Sequence, residues 1–384
     1  MQYPRRNTFS TLHQALPVRQ GVSVRRIYYT ILALGIVHAS YANEPSLTRL
    51  PDMNSTRAVH QTTQVSDNEW LITGGCIDAG CDTVSNSTEL YQHSAAKFIN
   101  HIPMNEPRSS HRAIRLDDGD VLLVGGWTGT AATASAERYN HRDKRFTAIA
   151  NMHSPRMSPA AVKLLNGKVL IAGGERATGS PLTSAEIYDP AQQQFTVVSD
   201  MNVARSSHAA AMLADGRVLI TGGQRGRNQP LNSAEIFDPV TGRFTLTKPM
   251  LSTRYKHAAV TLQDGRVMVL GGSSGGDYQN RLHSTEIFEP KTGAFTAGPS
   301  MQHVHFKITN AAVALPSGEV VIAGGSKHVE KWTPGASVFQ EASGVIDAEY
   351  AFSTSSLLPN GAVLIVGGYD HRIQPTAGAW LLKP

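Results

Sequence analysis

Seven glycine doublets divide most of the chain into units of nearly constant length. The first glycines of consecutive doublets lie 51, 48, 49, 49, 53 and 43 residues apart. Such a period is typical of one supersecondary unit that stacks against copies of itself to bury its apolar faces. We therefore expect seven copies of one unit, marked by the doublets Gly74-Gly75, Gly125-Gly126, Gly173-Gly174, Gly222-Gly223, Gly271-Gly272, Gly324-Gly325 and Gly367-Gly368.

Each unit has the pattern of four short antiparallel strands. In the unit that contains Gly222, apolar runs flank the dipeptide Asp215-Gly216, which suits a two-residue hairpin turn with positive φ at both positions. A third strand begins at Ala234 and a fourth near Phe244. Four-stranded units repeated radially form a β-propeller, which protects the edges of its sheets. The sequence predicts an all-β fold, a seven-bladed propeller in a single domain of residues 43–384.

The two ends of the chain are expected to complete one blade together. In five units the fourth-strand aromatic lies six residues before a methionine, in the pairs Phe98/Met104, Phe146/Met152, Phe195/Met201, Phe244/Met250 and Phe295/Met301. Counting back six residues from Met53 gives Leu47, and the last unit ends after its third strand, at residues 379–384. The sequence therefore predicts that residues 46–50 form the outer strand of the last blade and close the ring.

The repeated pattern resembles the kelch repeat. The residues that carry the resemblance are the doublet after an apolar strand, the aromatics of the third and fourth strands, and a Met-x-x-x-Arg segment such as Met201 to Arg205. The resemblance covers roughly residues 45–384, and the fourth unit is also similar to repeats in the galactose oxidase propeller. It implies a central channel whose ligand binds at the mouth, on the face that carries the longer loops.

Residues 1–42 have the pattern of an export signal. They carry five arginines and no acid, so removing their charge of +5 from the chain total of +5 leaves residues 43–384 neutral. Arg25-Arg26 precede the apolar run of residues 27–37, and small residues precede a cleavage point after Ala42. This run spans about 16 Å as a helix, whereas a bilayer core is about 30 Å thick. We expect a cleaved signal peptide, a periplasmic or secreted protein without a membrane segment, and no nucleic-acid partner; an uncleaved anchor is the alternative.

The two cysteines of the chain, Cys76 and Cys81, lie in one loop. In an oxidising compartment such a pair can close a small disulfide ring. Their spacing differs from the Cys-x-x-Cys pattern of metal and redox sites. The sequence favours a Cys76–Cys81 disulfide, with two free thiols or a metal site as alternatives.

A cation lies seventeen residues before six of the doublets, and an acid lies in the third strand of the same six units. The seventh unit lacks both and has Tyr350 in place of the cation. Residues that are present together and absent together are expected to pair within each blade, although a ring of six cations could also bind an anion. We predict the structural pairs Arg57 with Glu89, Arg108 with Glu137, Arg156 with Glu186, Arg205 with Glu235, Arg254 with Glu286 and Lys307 with Glu330.

A second column, fourteen residues before each doublet, begins the innermost strands, so its side chains are expected to ring the channel mouth. Histidine is frequent there, and it suits either a ligand contact or the kelch scaffold. Histidines on separate blades do not by themselves make the close cluster that zinc needs, so no metal site is predicted. With polar residues from the preceding column and the loops, the ligand-binding candidates are His60, His111, Ser110, His208, Ser207, His257, Lys256, Asn310, Ser353, Arg225 and Arg227.

The sequence predicts no catalytic residue and no cofactor. The galactose oxidase family uses copper and a cysteine-linked tyrosine, and the resemblance places Val59 and Ser110 where that cysteine and tyrosine would lie. No Ser-His-Asp spacing, phosphate loop or HExxH motif stands out. We therefore expect a non-catalytic, monomeric binding protein that recognises a glycan or protein at the channel mouth. The alternative is a carbohydrate-active enzyme, such as a sugar mutarotase or isomerase, with an acid and a base on the same face.

Overall fold

Seven antiparallel sheets of four strands each form the protein. The computed structural model describes residues 46–383, so the signal peptide predicted for residues 1–42 lies outside the described part. Neighbouring blades contact each other through their first strands, which therefore line the central channel. This is the seven-bladed propeller that the doublets predict. Within residues 46–383 the helical elements are two 3-10 turns, Ala79–Cys81 and His93–Ala95.

The chain begins with β1 (Ser46–Arg49), which belongs to the last blade. The strands of blade 1 are β2 (Gln61–Gln64), β3 (Glu69–Thr73), β4 (Thr88–Gln92) and β5 (Lys97–His101). Those of blade 2 are β6 (Arg112–Arg115), β7 (Val121–Val124), β8 (Ala136–Asn140) and β9 (Arg145–Ala148). Those of blade 3 are β10 (Ala160–Lys163), β11 (Val169–Ala172), β12 (Ala185–Asp189) and β13 (Gln194–Val197).

The remaining blades follow the same order. Blade 4 contains β14 (Ala209–Met212), β15 (Val218–Thr221), β16 (Ala234–Asp238) and β17 (Arg243–Leu246). Blade 5 contains β18 (Ala258–Thr261), β19 (Val267–Leu270), β20 (Thr285–Glu289) and β21 (Ala294–Ala297). Blade 6 contains β22 (Ala312–Ala314), β23 (Val320–Ile322), β24 (Glu330–Trp332) and β25 (Gln340–Glu341). Blade 7 contains β26 (Thr354–Leu357), β27 (Val363–Val366) and β28 (Ala379–Lys383), with β1 outside them.

The core lies between the blades. The second strands are rich in apolar residues, and every residue of β7 and β11 is at most 1% exposed. Both faces of these strands are covered because each blade packs against its two neighbours. Farther out, an aromatic pair joins the third and fourth strands, as in Phe237 and Phe244, whose ring centroids lie 4.8 Å apart. Burial of apolar surface between blades is therefore the main contribution to stability.

The ends of the chain close the ring in the predicted way. Strand β1 pairs antiparallel with β28, with Leu47 opposite Leu382 and Arg49 opposite Trp380. The Arg49 guanidinium also lies over the Trp380 ring, 4.5 Å from its centroid. Leu47 packs in the cluster between blades 6 and 7. The N-terminal strand thus completes blade 7.

The loops before the first strands and those after the doublets lie on one face of the propeller, which we call the irregular face. Backbone bridges join the two kinds of loop, as between Ala58 and Cys76 or between Ser206 and Gln224. The second glycine of each doublet donates its N–H to a carbonyl of the next blade, and Gly223 bonds to Arg254 in this way at 2.9 Å. The doublets therefore set the position of each blade relative to the next.

Cys76 and Cys81 form a disulfide in the loop after the first doublet, with their Cα atoms 4.9 Å apart. It closes a short loop on the irregular face. In the part of the chain that the structure describes, no helix has the length and apolar character needed to cross a bilayer.

Candidate functional site

Five arginines of the irregular face are buried in ion pairs with third-strand glutamates. Arg205 is representative: Nη2 lies 2.8 Å from Glu235 Oε1, and Nη1 donates to the carbonyl of Gly222 at 2.6 Å. The other four ion pairs are Arg57–Glu89 at 2.8 Å, Arg108–Glu137 at 3.0 Å, Arg156–Glu186 at 2.9 Å and Arg254–Glu286 at 2.7 Å. All five arginine side chains are fully buried, so these cations hold the blades and do not face a ligand.

The sixth predicted pair, Lys307 with Glu330, does not form. Glu330 Oε1 instead lies 3.0 Å from His305 Nε2, and His305 Nδ1 lies 2.9 Å from the Gly324 carbonyl. Both ring nitrogens lie beside oxygen acceptors, so the imidazole of His305 occupies the place that an arginine side chain has in blades 1 to 5. The cause is that blade 6 has two extra residues between this position and its doublet. Gly272 accordingly bonds to the His305 carbonyl at 2.8 Å.

The four predicted channel-mouth histidines lie between blades. His60, His111, His208 and His257 are at most 1% exposed. His257 Nε2 lies 2.9 Å from Thr221 Oγ1 of the preceding blade, and His111 contacts Thr73 in the same way at 2.9 Å. Burial, with the charge of Arg57, lowers the pKa of His60 to about 3, so this ring is neutral. These contacts join neighbouring blades and leave little imidazole surface for a ligand.

Blade 6 also departs from the prediction for the column that lies fourteen residues before each doublet, where Asn310 was expected. Because of its two extra residues, Ile308 and not Asn310 packs against the preceding doublet, at Gly271. Asn310 lies further along, where it lines the channel. Ser353 of blade 7 keeps the predicted position at the mouth, although it is only 2% exposed.

The innermost ring of the mouth is a set of residues with positive φ, which we call the rim column. Backbone hydrogen bonds link its members from blade to blade, such as Ser110 N to Val59 O at 3.1 Å and Lys256 N to Ser207 O at 2.9 Å. The rim column contains three of the predicted ligand-binding residues, Ser110, Ser207 and Lys256. Its full membership is Val59, Ser110, Ser158, Ser207, Lys256, Lys307 and Phe352.

Arg112 crosses the channel below the rim column. Its Nε donates to the Pro159 carbonyl at 2.6 Å, and its Nη1 donates to Asn310 Oδ1 of blade 6 at 3.1 Å. Among residues 46–383, no carboxylate forms an ion pair with Arg112. Burial lowers the pKa of Arg112 to about 10. Arg112 lines two cavities of the channel. One also contains the rim serines, and the other, of about 140 Å³, also contains His208.

Beside the mouth, Lys307 lies in a group of aromatic rings that we call the lysine cage. Its Nζ lies 4.3 Å from the centroid of the Tyr278 ring and 2.9 Å from the Tyr369 hydroxyl. Phe306 and Phe352 complete the group, with ring centroids 5.5 and 5.8 Å from the same nitrogen. The lysine is only 3% exposed. Cation–π contacts of this kind stabilise a desolvated ammonium.

Asp277 connects Lys307 of the lysine cage to Lys256, the preceding member of the rim column. One carboxylate oxygen lies 2.8 Å from Lys256 Nζ and accepts a bond from Tyr255 at 2.7 Å, while the other lies 3.2 Å from Lys307 Nζ. Although burial alone would raise it, the two lysines and Tyr255 lower the pKa of Asp277 to about 2. Two cations thus share one carboxylate, which leaves this part of the mouth positive.

Glu175 supplies an acid on the same face. Its Oε2 accepts a hydrogen bond from Ser206 at 3.0 Å, and burial raises the pKa of the carboxyl group. Arg225 and Arg227 are exposed on the loop after the fourth doublet. Neither residue is among those that line the two channel cavities.

Several members of the site were not singled out from the sequence. Tyr255, Phe306 and Tyr369 lie outside the two columns that were aligned on the doublets. Arg112 directly follows His111, which was selected as a ligand-binding candidate instead. The sequence did contain a signal for the shifted position in blade 6. In blades 1 to 5 the buried cation lies four residues after a methionine, as Arg205 does after Met201, and the same count from Met301 gives His305. That count would have moved Lys307 from the buried pairs to the rim column.

Lys307 makes the stability of the protein depend on pH. Burial, with the charge of Lys256, lowers its pKa from 10.5 to about 8. Between these values the unfolded chain binds more protons than the folded chain, so the free energy of unfolding is expected to rise as pH increases from 8 to 10. Urea titrations across this range should show the rise in the wild type and its loss in Lys307→Met. The exposed-lysine variant Lys291→Met should keep it, and equal slopes in all three proteins would contradict the assignment.

Comparisons with known proteins agree with this architecture. The kelch motif family matches residues 108–153, 156–202, 205–251 and 254–302, which correspond to blades 2 to 5. Among solved structures, the chain is similar to a novel fungal alcohol oxidase with catalytic diversity among the AA5 family, in complex with copper. That similarity covers 89% of this chain and 77% of the oxidase, with a TM-score of 0.52 and 14% sequence identity, so it concerns the fold alone. No curated protein matches the sequence.

Proposed function

We propose that this chain, a seven-bladed β-propeller built from kelch repeats, is an exported protein that binds an anionic group of a glycan or protein at the mouth of its channel. Kelch repeats suggest a propeller that interacts with a partner. The observation that carries the finer proposal is Arg112, a cation held in the channel with neutral partners. Its position fits a ligand that enters from the irregular face.

The chemistry of Arg112 favours a carboxylate. A half-buried guanidinium bonded only to neutral acceptors has lost part of its hydration without gaining a counter-charge. A carboxylate in the mouth would supply that charge and form charge-assisted hydrogen bonds, which are about twice as strong as neutral ones. The side chains of Ser110, Ser158 and Ser207 line a second, smaller cavity of about 30 Å³ that Arg112 also lines, and their hydroxyls can donate further bonds. Together they make a polar pocket for a small anionic group.

The lysine cage can contact the rest of such a ligand. Tyr278 is 44% exposed and presents an aromatic ring beside the mouth. Aromatic side chains with a polar end are frequent where a protein contacts a partner. Lys256 lies in the rim column and shares Asp277 with Lys307. The group can therefore bind a ligand both by charge and by ring contacts.

Export is supported by two features. The first is the leader-like composition of residues 1–42, with its five arginines and no acid. The second is the Cys76–Cys81 disulfide, because disulfides persist mainly in oxidising compartments. We propose a periplasmic or secreted location on these grounds.

Copper like that of the similar fungal oxidase does not fit the channel mouth. Both cysteines are joined to each other, so neither can be linked to a tyrosine. The Tyr255 hydroxyl bonds to Asp277, and the Tyr369 hydroxyl accepts a bond from Lys307. The Lys307 ammonium lies 2.9 Å from the Tyr369 hydroxyl and would repel a metal cation there. The donor set of the described residues therefore does not suit copper-radical chemistry.

A second candidate function is a sugar isomerase or mutarotase on the same face. The observation that favours it is that two pKa values are shifted in opposite directions. Burial raises the pKa of Glu175 and lowers that of Lys307 to about 8. Groups whose pKa values are shifted toward neutrality from both sides suit general acid and base roles. Lys307 is only 3% exposed, which makes it better suited to hold the cage than to reach a substrate.

The proposal can be tested with an array of glycans that end in glucuronate or sialic acid, each beside the same glycan with a neutral end, and with purified proteins captured in pull-downs. We expect the anionic member of a pair to bind better. Arg112→Met should weaken that binding at least about tenfold, as expected when a charge-assisted bond is lost. Arg243→Met, a change on the exposed outer strand β17, is the control with the same loss of charge.

Three results would decide against the proposal. Equal binding of anionic and neutral glycans, or unchanged affinity of Arg112→Met with a folded control, would remove Arg112 from the site. Conversion between the anomers of a bound sugar, followed by NMR and lost in Glu175→Gln, would support the isomerase function. Thermal melts should show that Arg112→Met stays folded, since this side chain faces the channel.

A further inference from the structure

Two histidines and a glutamate meet at the outer edge of blade 6. His303 Nε2 lies 3.0 Å from Glu341 Oε2, and His328 Nδ1 lies 2.5 Å from Oε1 of the same carboxylate. The two imidazole rings are stacked 3.6 Å apart with an angle of 5° between them. Both rings therefore turn a nitrogen toward one carboxylate.

The three residues come from three separate segments of the irregular face. His303 lies in the loop that leads into β22, His328 lies in the loop after the doublet, and Glu341 ends β25. No repeated motif links them, since the spacings of 25 residues from His303 to His328 and 38 residues from His303 to Glu341 do not recur in another blade. Blade 6 is again the one that departs from the others. The cluster is thus a feature of this blade and not of the repeat.

The donor set matches that of a divalent transition metal. One atom from each residue lies within 4.8 Å of the others, and this is the one group of its kind within residues 46–383. Zinc bonds to histidine nitrogen and carboxylate oxygen are about 2.0–2.2 Å long, so ligand atoms around a tetrahedral ion lie roughly 3.4 Å from each other. Rotation of the exposed side chains that shortens the largest separation by about 1.4 Å would bring the three atoms to that spacing.

The surroundings also suit a metal. The side chains are 30–34% exposed, so an ion can enter from solvent and a fourth position can hold water. The backbone around the ligands is fixed, because His303 N donates to Glu330 Oε1 at 2.9 Å and Glu341 lies opposite Glu330 in the sheet. His328 N donates to the Ser326 hydroxyl at 3.2 Å. The ligands therefore stand on supported elements.

We propose that His303, His328 and Glu341 bind one divalent transition-metal ion, with Zn²⁺ as the expected occupant. The two imidazoles and one carboxylate suit zinc better than calcium or magnesium, which prefer oxygen ligands alone. The site lies on the segment that also carries His305 and Lys307, four residues after His303. A bound ion would therefore fix the outer end of the segment that positions the lysine cage.

Isothermal titration of the metal-free chain, made without a histidine tag, with Zn²⁺ tests the proposal. We expect saturation at one ion per chain, and at least about a tenfold loss of affinity in His328→Gln and in Glu341→Gln. His283→Gln, an exposed histidine of the neighbouring blade, is the matched control and should bind as the wild type does. All three changes are at the surface, and melts in EDTA should show unchanged folding.

Co²⁺ provides an independent measurement. Bound in a four-coordinate site with two imidazoles, it should give visible absorption bands that His303→Gln removes and His283→Gln retains. The absence of saturable Zn²⁺ binding would overturn the proposal. Equal affinity of all the variants would also overturn it, because binding would then occur elsewhere. Neither measurement depends on the ligand of the channel mouth.

Discussion

Replacing Arg205 with alanine is expected to lower the free energy of unfolding by about 3–5 kcal/mol, the cost of leaving a buried charge without its partner. Glu235 would remain in place with its side chain fully buried. It would keep hydrogen bonds from the backbone N–H groups of Asn202 and Val203, but it would lose the guanidinium that pairs with it. The carbonyls of Gly222 and Ser233 would also lose a donor.

Urea unfolding followed by circular dichroism measures this effect. The control is Arg217→Ala, because Arg217 pairs with Asp215 at 2.6 Å while both side chains are 38–48% exposed. An exposed pair contributes at most about 1 kcal/mol, so this variant should stay close to the wild type. A loss below about 1 kcal/mol in Arg205→Ala would show that the buried pair is not what holds the blade.

A methyl group on the first glycine of a doublet should be nearly as harmful. In Gly222→Ala, the new Cβ would lie 2.3 Å from the backbone oxygen of Arg254 and 2.9 Å from the His257 ring. The residue also has φ of +56°, which disfavours any side chain by about 1–2 kcal/mol. Overpacking adds about 1–3 kcal/mol. We expect a total loss of about 2–5 kcal/mol, since a backbone carbonyl of the next blade cannot move aside.

Gly242→Ala separates the two causes. Gly242 has a similar φ of +68°, but no atom lies within 4 Å of the position that its Cβ would take. This variant should lose only the conformational part, about 1–2 kcal/mol. Thermal unfolding of the two variants side by side gives the difference. Equal losses would mean that the doublet is selected for its backbone conformation and not for close approach between blades.

The fold could be predicted from the sequence because the doublets recur at nearly fixed spacing and align every other column. The same alignment predicted that residues near Leu47 would close the last blade. Both expectations depend on local patterns, which repetition makes visible. A unit that cannot bury its apolar face alone must stack with its copies, so the repeat also determines the architecture.

The site was harder to predict because it depends on departures from the repeat. The two extra residues of blade 6 moved Lys307 out of the buried pairs and placed His305 beside Glu330. Counting from the doublet could not detect this shift, whereas counting from Met301 could. The contact between Arg112 and Asn310 joins residues 198 positions apart across the channel. Such contacts follow from the closed ring and have no signature in sequence spacing.

The pairing of β1 with β28 has a consequence for the order in which the protein forms. Thr48 Oγ1 donates to the carbonyl of Leu381, 333 residues later in the chain. Contacts of such sequence separation form late in folding because the chain between them must first be ordered. The six preceding blades can assemble as the chain emerges, but the ring cannot close before β28 has been synthesised. Until β1 pairs with it, β28 would present an open edge on which a strand of a second chain could pair.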